Sequence, residues 1–152
     1  MSVTIRQLNL QDAPIVQRLV SALFHELRGD TGDTPKQIDL AVVENVIGNT
    51  RQVSGFLMFE AEEPVGVIML SEGMSLYADG HYGLITELYI TPDKRSGGLA
   101  KQLIDTATAH GRERGWSMLE VGAPSQPKWL SSYAFYIKEG FHEIGPRLRK
   151  RL

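Results

Sequence analysis

From Val3 the chain alternates apolar and polar residues through "VTIRQLNL", the period of a strand with one buried face. Asp12 then stands where a helix N-cap belongs, with Pro14 in the first turn, and Ile15, Leu19, Val20, Leu23, Phe24 and Leu27 recur at helical spacing up to Gly29. "GDTGD" has the residue types of a loop. Thr34-Pro35-Lys36-Gln37 has the form of a capping box with proline at the first helical position, which predicts a second helix running to about Ile47.

"GFLMFEAEEPVGVIMLSEGMSLY" reads as two strands joined at Glu62-Glu63-Pro64, and "ADGHYG" as a turn before a third, "LITELYI". After Gly98, Leu99, Leu103, Ile104 and Ala107 mark one face of a helix ending near Gly115, with Lys101 and Asp105 paired on the other face. "WSMLEVGAP" is a further strand and "QPKWLSSYAFYIKEG" a further helix, while "FHEIG" and "PRLRKRL" read as two short closing strands. The expected order is β-α-α-β-β-β-α-β-α-β-β. This is an α/β domain with a mixed, mostly antiparallel twisted sheet of about seven strands, helices on both faces and a helical crossover between neighbouring strands.

Composition narrows the class without naming it. The 152 residues contain no repeat or linker-like stretch, so residues 1–152 are read as one domain. Lys and Arg number 16 against 18 Asp and Glu, a balance that offers no global attraction to nucleic acid or to an anionic membrane. No apolar run is long enough to span a bilayer, and the start lacks a basic-then-apolar leader. The absence of cysteine excludes disulfides, thiolate metal sites and a cysteine nucleophile, and points to a reducing cytoplasm. His25, His81, His110 and His142 share no ligand spacing with one another or with clustered carboxylates, so no metal is expected. The terminal "RLRKRL" alternates like an edge strand with one wet face and is assigned no nucleic-acid role.

The most informative stretch is "TPDKRSGGLAKQLIDTA", where an apolar strand ends at Pro92, crosses two glycines and enters a helix. A helix N-terminus carries unpaired N–H groups and partial positive charge, so an anion suits this place, although a plain structural turn has the same local appearance. The spacing fits neither the P-loop nor the Rossmann glycine pattern. Arg95-Ser96-Gly97-Gly98-Leu99-Ala100 does resemble the acyl-coenzyme A pyrophosphate loop of the GNAT superfamily of N-acetyltransferases, Q/R-x-x-G-x-G/A, preceded by the family-like "ELYITPDK". "LAKQLIDTATAHGRERGWSMLEVGAP" and "FYIKEGF" are similar to further family segments, and the element order of the whole chain agrees. One departure is Ser96-Gly97, where many members carry Gly followed by a basic residue.

The resemblance implies acetyl-coenzyme A as co-substrate. The N–H groups of Ser96, Gly97, Gly98, Leu99 and Ala100 would meet its pyrophosphate, and Arg95 fills the first signature position. The strand Leu88-Tyr89-Ile90 would bond the pantetheine arm, with the Ile90 N–H polarising the thioester carbonyl.

Acceptor chemistry asks for two proton carriers. An alkylamine with pKa near ~10.4 is neutral in only about one molecule per thousand at neutral pH, so a base is useful, and the departing thiolate needs a proton. Tyr136, four residues before Gly140-Phe141, matches the family's usual acid, though Trp129, Tyr133, Tyr136 and Ile137 also form a helical stripe of the kind that packs as core. Glu87, a carboxylate inside the apolar "LITELYI", is the candidate base, with a solvated or substrate-binding charge as the alternative. His81 and Tyr82 lie in a hairpin tip and Asp30 and Asp33 in the loop between the first helices, both of which can border the acceptor pocket in the family, with a plain solvated loop as the favoured alternative.

The expected activity is acetyl transfer to a primary amine of a small molecule or peptide, without a covalent enzyme intermediate. The alternative is an acyl-coenzyme A-binding module without turnover. Family members are often dimers, and no stretch here demands one.

Overall fold

The computed structural model describes residues 2–29, 32, 34–124 and 130–152, and of Leu130 the backbone only. Among these, strands β1 (Val3–Gln7), β2 (Val53–Glu60), β3 (Glu63–Ser75), β4 (Gly80–Ile90) and β5 (Leu119–Val121) lie in that order across one sheet. The pairs are antiparallel except β4 with β5, which is parallel. Helices α1 (Ala13–Arg28), α2 (Leu40–Gly48), α3 (Leu99–Arg114) and α4 (Leu130–Lys138) complete the architecture, α3 forming the crossover from β4 to β5.

Both faces of the sheet are covered, which is why β2 and β3 read as continuous apolar runs instead of clean alternation. Leu57, Val67, Met69 and Tyr89 pack on Val16, Leu19 and Val20 of α1 and Val43 and Ile47 of α2. On the other face Met58, Ile68, Leu70, Ile85 and Ile90 pack on Leu103, Ile104 and Ala107 of α3, with Phe135 and Tyr136 of α4 against the same cluster.

Three local expectations change in the folded chain. The second helix begins at Leu40 instead of Pro35, because the Asp39 carboxylate caps it by accepting from the Ala41 N–H at 3.0 Å. Residues 35–39 form no helix, and α1 takes the backbone bonds of Ile38 among them: its N–H donates to Ser21 Oγ at 3.0 Å and its carbonyl accepts from Gln17 Nε2 at 2.7 Å. Asp12 makes no cap bond to α1. It lies buried, closes a capping box with Asn9 and accepts both terminal nitrogens of Arg6 at 2.8 Å, which hold its carboxyl below the usual range.

The last correction concerns strand number: neither "FHEIG" nor "PRLRKRL" forms a strand, leaving five instead of about seven among the described residues. Gly145, at φ +126°, and Pro146, which lacks an N–H, interrupt the run. Ile144, Leu148 and Leu152 face solvent, so no buried apolar surface supports a ladder there.

Candidate active site

The site opens where β4 loses its second neighbour. β5 pairs only with Gly83, Leu84 and Ile85, so from Thr86 to Ile90 the flank of β4 away from β3 has no strand beside it among the described residues. Packing sets this boundary: the Trp116 ring lies against Gly83 and Gly111, where any side chain would collide with it, and the Gly83 N–H donates to the Met118 carbonyl at 3.0 Å.

A register slip re-aims the open half of β4. Met69 faces Glu87 but Leu70 faces Ile85, leaving Thr86 as a bulged residue. One extra residue turns over the alternation of side chains and peptide groups. Ile85, Leu88 and Ile90 therefore join the cluster on the α3 face, while Tyr89 joins that on the α1 face and Glu87, two residues before it, points the same way.

The peptide groups follow from one bond. The Thr91 N–H donates to the Val65 carbonyl at 2.9 Å, which makes Val65 and Thr91 a hydrogen-bonded pair. By antiparallel alternation Glu87 and Tyr89 then bond β3, and Leu88 and Ile90 direct their N–H and C=O groups to the open flank. The Ile90 carbonyl is taken there by Arg95 Nε at 2.8 Å. The Leu88 N–H and C=O and the Ile90 N–H have no partner among the described residues.

Beyond Thr91 a single turn of 3-10 helix, Pro92–Lys94, leads to Ser96 at φ +71° and Gly98 at φ +79°, and α3 begins. The first bond into this helix runs from the Gln102 N–H to the Gly98 carbonyl at 3.2 Å, so the N–H groups of Ser96 through Lys101 have no acceptor among the described residues. A Cβ built on Gly97 or Gly98 meets nothing within 4 Å, so the row is open to close approach. Successive free N–H groups at a helix N-terminus form an anion cradle. The neighbouring cations are already neutralised: Lys94 by Glu60 at 3.0 Å, Lys101 by Asp105 at 2.8 Å and Arg95 by Glu26 at 2.8 Å.

Tyr136 packs between Phe135 and Phe141 at ring distances of 5.3 and 5.6 Å, in the cluster that also holds Leu88, Ile90, Leu99 and Ala100. Its hydroxyl has no hydrogen-bond partner among the described residues, and burial pushes its pKa up to about 12. Tyr133, one turn earlier, instead donates to Glu143 at 3.0 Å. Glu87 accepts from the Thr86 hydroxyl at 2.7 Å, and burial raises its pKa above the ordinary carboxylate value.

The fold thus gathers Leu88, Ile90, Leu99, Ala100 and Tyr136 in one cluster, with the Ser96–Ala100 loop at its margin. Glu87 and the Tyr89 ring lie on the opposite face. The Arg95 guanidinium turns to Glu26 and covers the Tyr89 ring at 5.3 Å. Sequence reading missed Thr86 and Glu26. Glu26 is 69 positions from Arg95, and no local signal links them.

His81 lies within β4, where it approaches Glu72 at 3.4 Å, roughly 20 Å along the strand from Glu87. Asp30, Asp33 and Trp129 lie outside the described residues. Among the described residues no group of three or more His, Cys, Asp or Glu is placed to hold a metal ion, and no helix is long and apolar enough to cross a membrane.

Among the described residues, a five-stranded sheet opens along the second half of β4 and a free N–H row stands at the following helix, an arrangement able to take an extended ligand that carries an anion. The family model for the acetyltransferase (GNAT) domain matches residues 28–151, and the chain belongs to that family of acyltransferases. Solved structures share the fold. A ribosomal-protein-alanine N-acetyltransferase from Brucella melitensis biovar Abortus 2308 aligns over 99% of both chains at 22% identity and TM-score 0.78. An aminoglycoside acetyltransferase from an uncultured soil metagenomic sample aligns over 100% of this chain and 99% of its own at 22% identity and TM-score 0.80. A GCN5-related N-acetyltransferase from Ralstonia eutropha JMP134 aligns over 99% of both chains at 20% identity and TM-score 0.73. No curated protein matches the sequence.

Proposed function

We propose that this chain, acting as a single domain over residues 1–152 in the cytoplasm, transfers the acetyl group of acetyl-coenzyme A to a primary amine by direct attack in a ternary complex. The observation that carries this reading is the free N–H row from Ser96 to Lys101 at the end of the open flank of β4. The donor set fits a diphosphate: backbone N–H groups, a helix N-terminus and open space above Gly97 and Gly98. Acetyl-coenzyme A bound there supplies an acyl carbon activated as a thioester.

The residues of the chain do the rest. Leu88 and Ile90 offer an amide-bearing arm the bonds of an added strand, and the Ile90 N–H stabilises negative charge developing on the acyl oxygen. As the amine nitrogen bonds the acyl carbon and the carbon–sulfur bond breaks, Glu87 takes the proton from nitrogen, directly or through water, and Tyr136 gives its proton to sulfur. Their placement supports this division, because they flank the open edge from opposite faces of the sheet. The raised pKa of Glu87 makes it a stronger base than an ordinary carboxylate, and that of Tyr136 keeps its proton in place at neutral pH. The acceptor class is a primary amine of a small molecule or a peptide.

Calorimetry with acetyl-coenzyme A, followed by thiol release across polyamines, amino acids, aminoglycosides and peptide N-termini, tests the proposal. Binding with turnover on one amine class is expected. Binding with no turnover on any would favour a coenzyme-binding module, and absence of binding would overturn the reading of the loop.

A further inference from the structure

Arg95 stands at the start of the free N–H row yet directs its side chain elsewhere. Nε bonds the Ile90 carbonyl at the end of β4 at 2.8 Å, the guanidinium covers the Tyr89 ring at 5.3 Å, and Nη1 and Nη2 bond Glu26 Oε1 and Oε2 at 3.0 and 2.8 Å. One side chain therefore ties the end of β4 to the last turn of α1. The residue that follows it, Ser96, holds a left-handed conformation at φ +71°. Such strain in a residue with a Cβ persists only where the surroundings over-determine it.

We propose that Glu26 is a positioning residue for coenzyme binding, acting through Arg95 to hold the Ser96–Lys101 N–H row in its receptive geometry. This rests on the coenzyme reading of the loop. A bidentate arginine–carboxylate pair fixes orientation as well as distance, which a single point charge does not. Neutralising the guanidinium leaves the backbone N–H groups as the source of attraction for phosphate. Taking the Ile90 carbonyl limits that residue to donating on the open flank. The clamp also fastens the helix that leads to the loop between α1 and α2 to the coenzyme loop.

The test measures acetyl-coenzyme A affinity by calorimetry and kcat at saturating coenzyme for Glu26→Gln, Glu26→Asp, Arg95→Ala and the Glu26→Gln/Arg95→Ala double variant. Glu26→Gln keeps the shape of the side chain at a half-buried position, so the fold survives, and a thermal melt checks this. The expected result is about tenfold weaker coenzyme binding in Glu26→Gln, with kcat at saturation within about twofold. Glu26→Asp, which keeps the carboxylate, recovers part of the loss. Arg95→Ala loses at least as much as Glu26→Gln, and the double variant loses no more than Arg95→Ala, the non-additivity of residues acting as one unit.

Unchanged or tighter binding in Glu26→Gln overturns the proposal, as do losses that add in the double variant. Substitutions at Gly97 separate this failure from failure of the loop reading. If charge at Gly97 alters affinity and Glu26→Gln does not, the role of Glu26 alone is wrong. If neither responds, the loop assignment falls first.

Discussion

A charge series at Gly97 isolates the anion cradle from the stability of the loop. Gly97 differs from Gly98 and Ser96 in having no positive φ, and a Cβ built there meets nothing within 4 Å. Gly97→Ala is therefore compatible with the fold and adds roughly 0.4–1 kcal/mol of stability by restricting the unfolded chain. Gly97→Glu and Gly97→Lys keep that benefit and place opposite charges beside the N–H row. Two unit charges at about 4 Å interact by about 1 kcal/mol in water and about 4 kcal/mol at an effective dielectric of ~20. The open space over Gly97 points to the watery end of that range. Two negative charges on a diphosphate then give a penalty of about 2 kcal/mol for Glu, or roughly thirtyfold weaker binding. Lys gains less, roughly tenfold, because its side chain is ordered on binding. Calorimetric titration with acetyl-coenzyme A at low salt reads the series, and raising the salt compresses the spread between Glu and Lys. If all three variants bind within twofold of the parent at low salt, no anion sits on this loop.

Four other outcomes are expected. Tyr136→Phe lowers kcat by roughly 10²-fold or more while leaving coenzyme affinity and the melting temperature nearly unchanged, since the lost hydroxyl bonds no described residue; full activity would remove Tyr136 from the chemistry. Glu87→Gln abolishes the acid limb of the kcat/KM profile, which in the parent falls as pH drops through a pKa raised above 4.5; a uniform loss at every pH would assign Glu87 to substrate positioning. Because burial raises the folded-state pKa of Glu87, its protonated form favours folding and that stabilisation is lost as pH rises through the folded pKa. Glu87→Gln is thus more stable than the parent at neutral pH, and the difference narrows toward pH 4 in denaturant melts. Ser96→Gly relieves a left-handed residue and raises stability by roughly 1 kcal/mol, read in urea titrations.

Much of this architecture is written in local pattern. The stripe of α1 and the glycines that end α1 and α3, Gly29 and Gly115 at φ +71° and +78°, place two helices without any long-range information. The run from Arg95 to Ala100 is recognisable for the same reason, since a tight approach to a helix start needs small residues in fixed order. The start of α2 was not legible, because Ser21 and Gln17 of α1 take both backbone groups of Ile38 and leave Asp39 to cap.

What the sequence by itself determined is the order of elements from β1 to α4, the family and the residue types available for chemistry, because each is carried by neighbours within a few turns or strand periods. The tertiary structure decided how those residues are used. The Trp116 ring against Gly83 and Gly111 and the short β5 set where β4 becomes open, the bulge at Thr86 chose the faces of Glu87 and Leu88, and the pairing with Glu26 turned the Arg95 guanidinium toward α1. The closing segment shows the same limit: "RLRKRL" has the alternation of a strand, but alternation yields a strand only where one face is buried, and Leu148 and Leu152 stand in water.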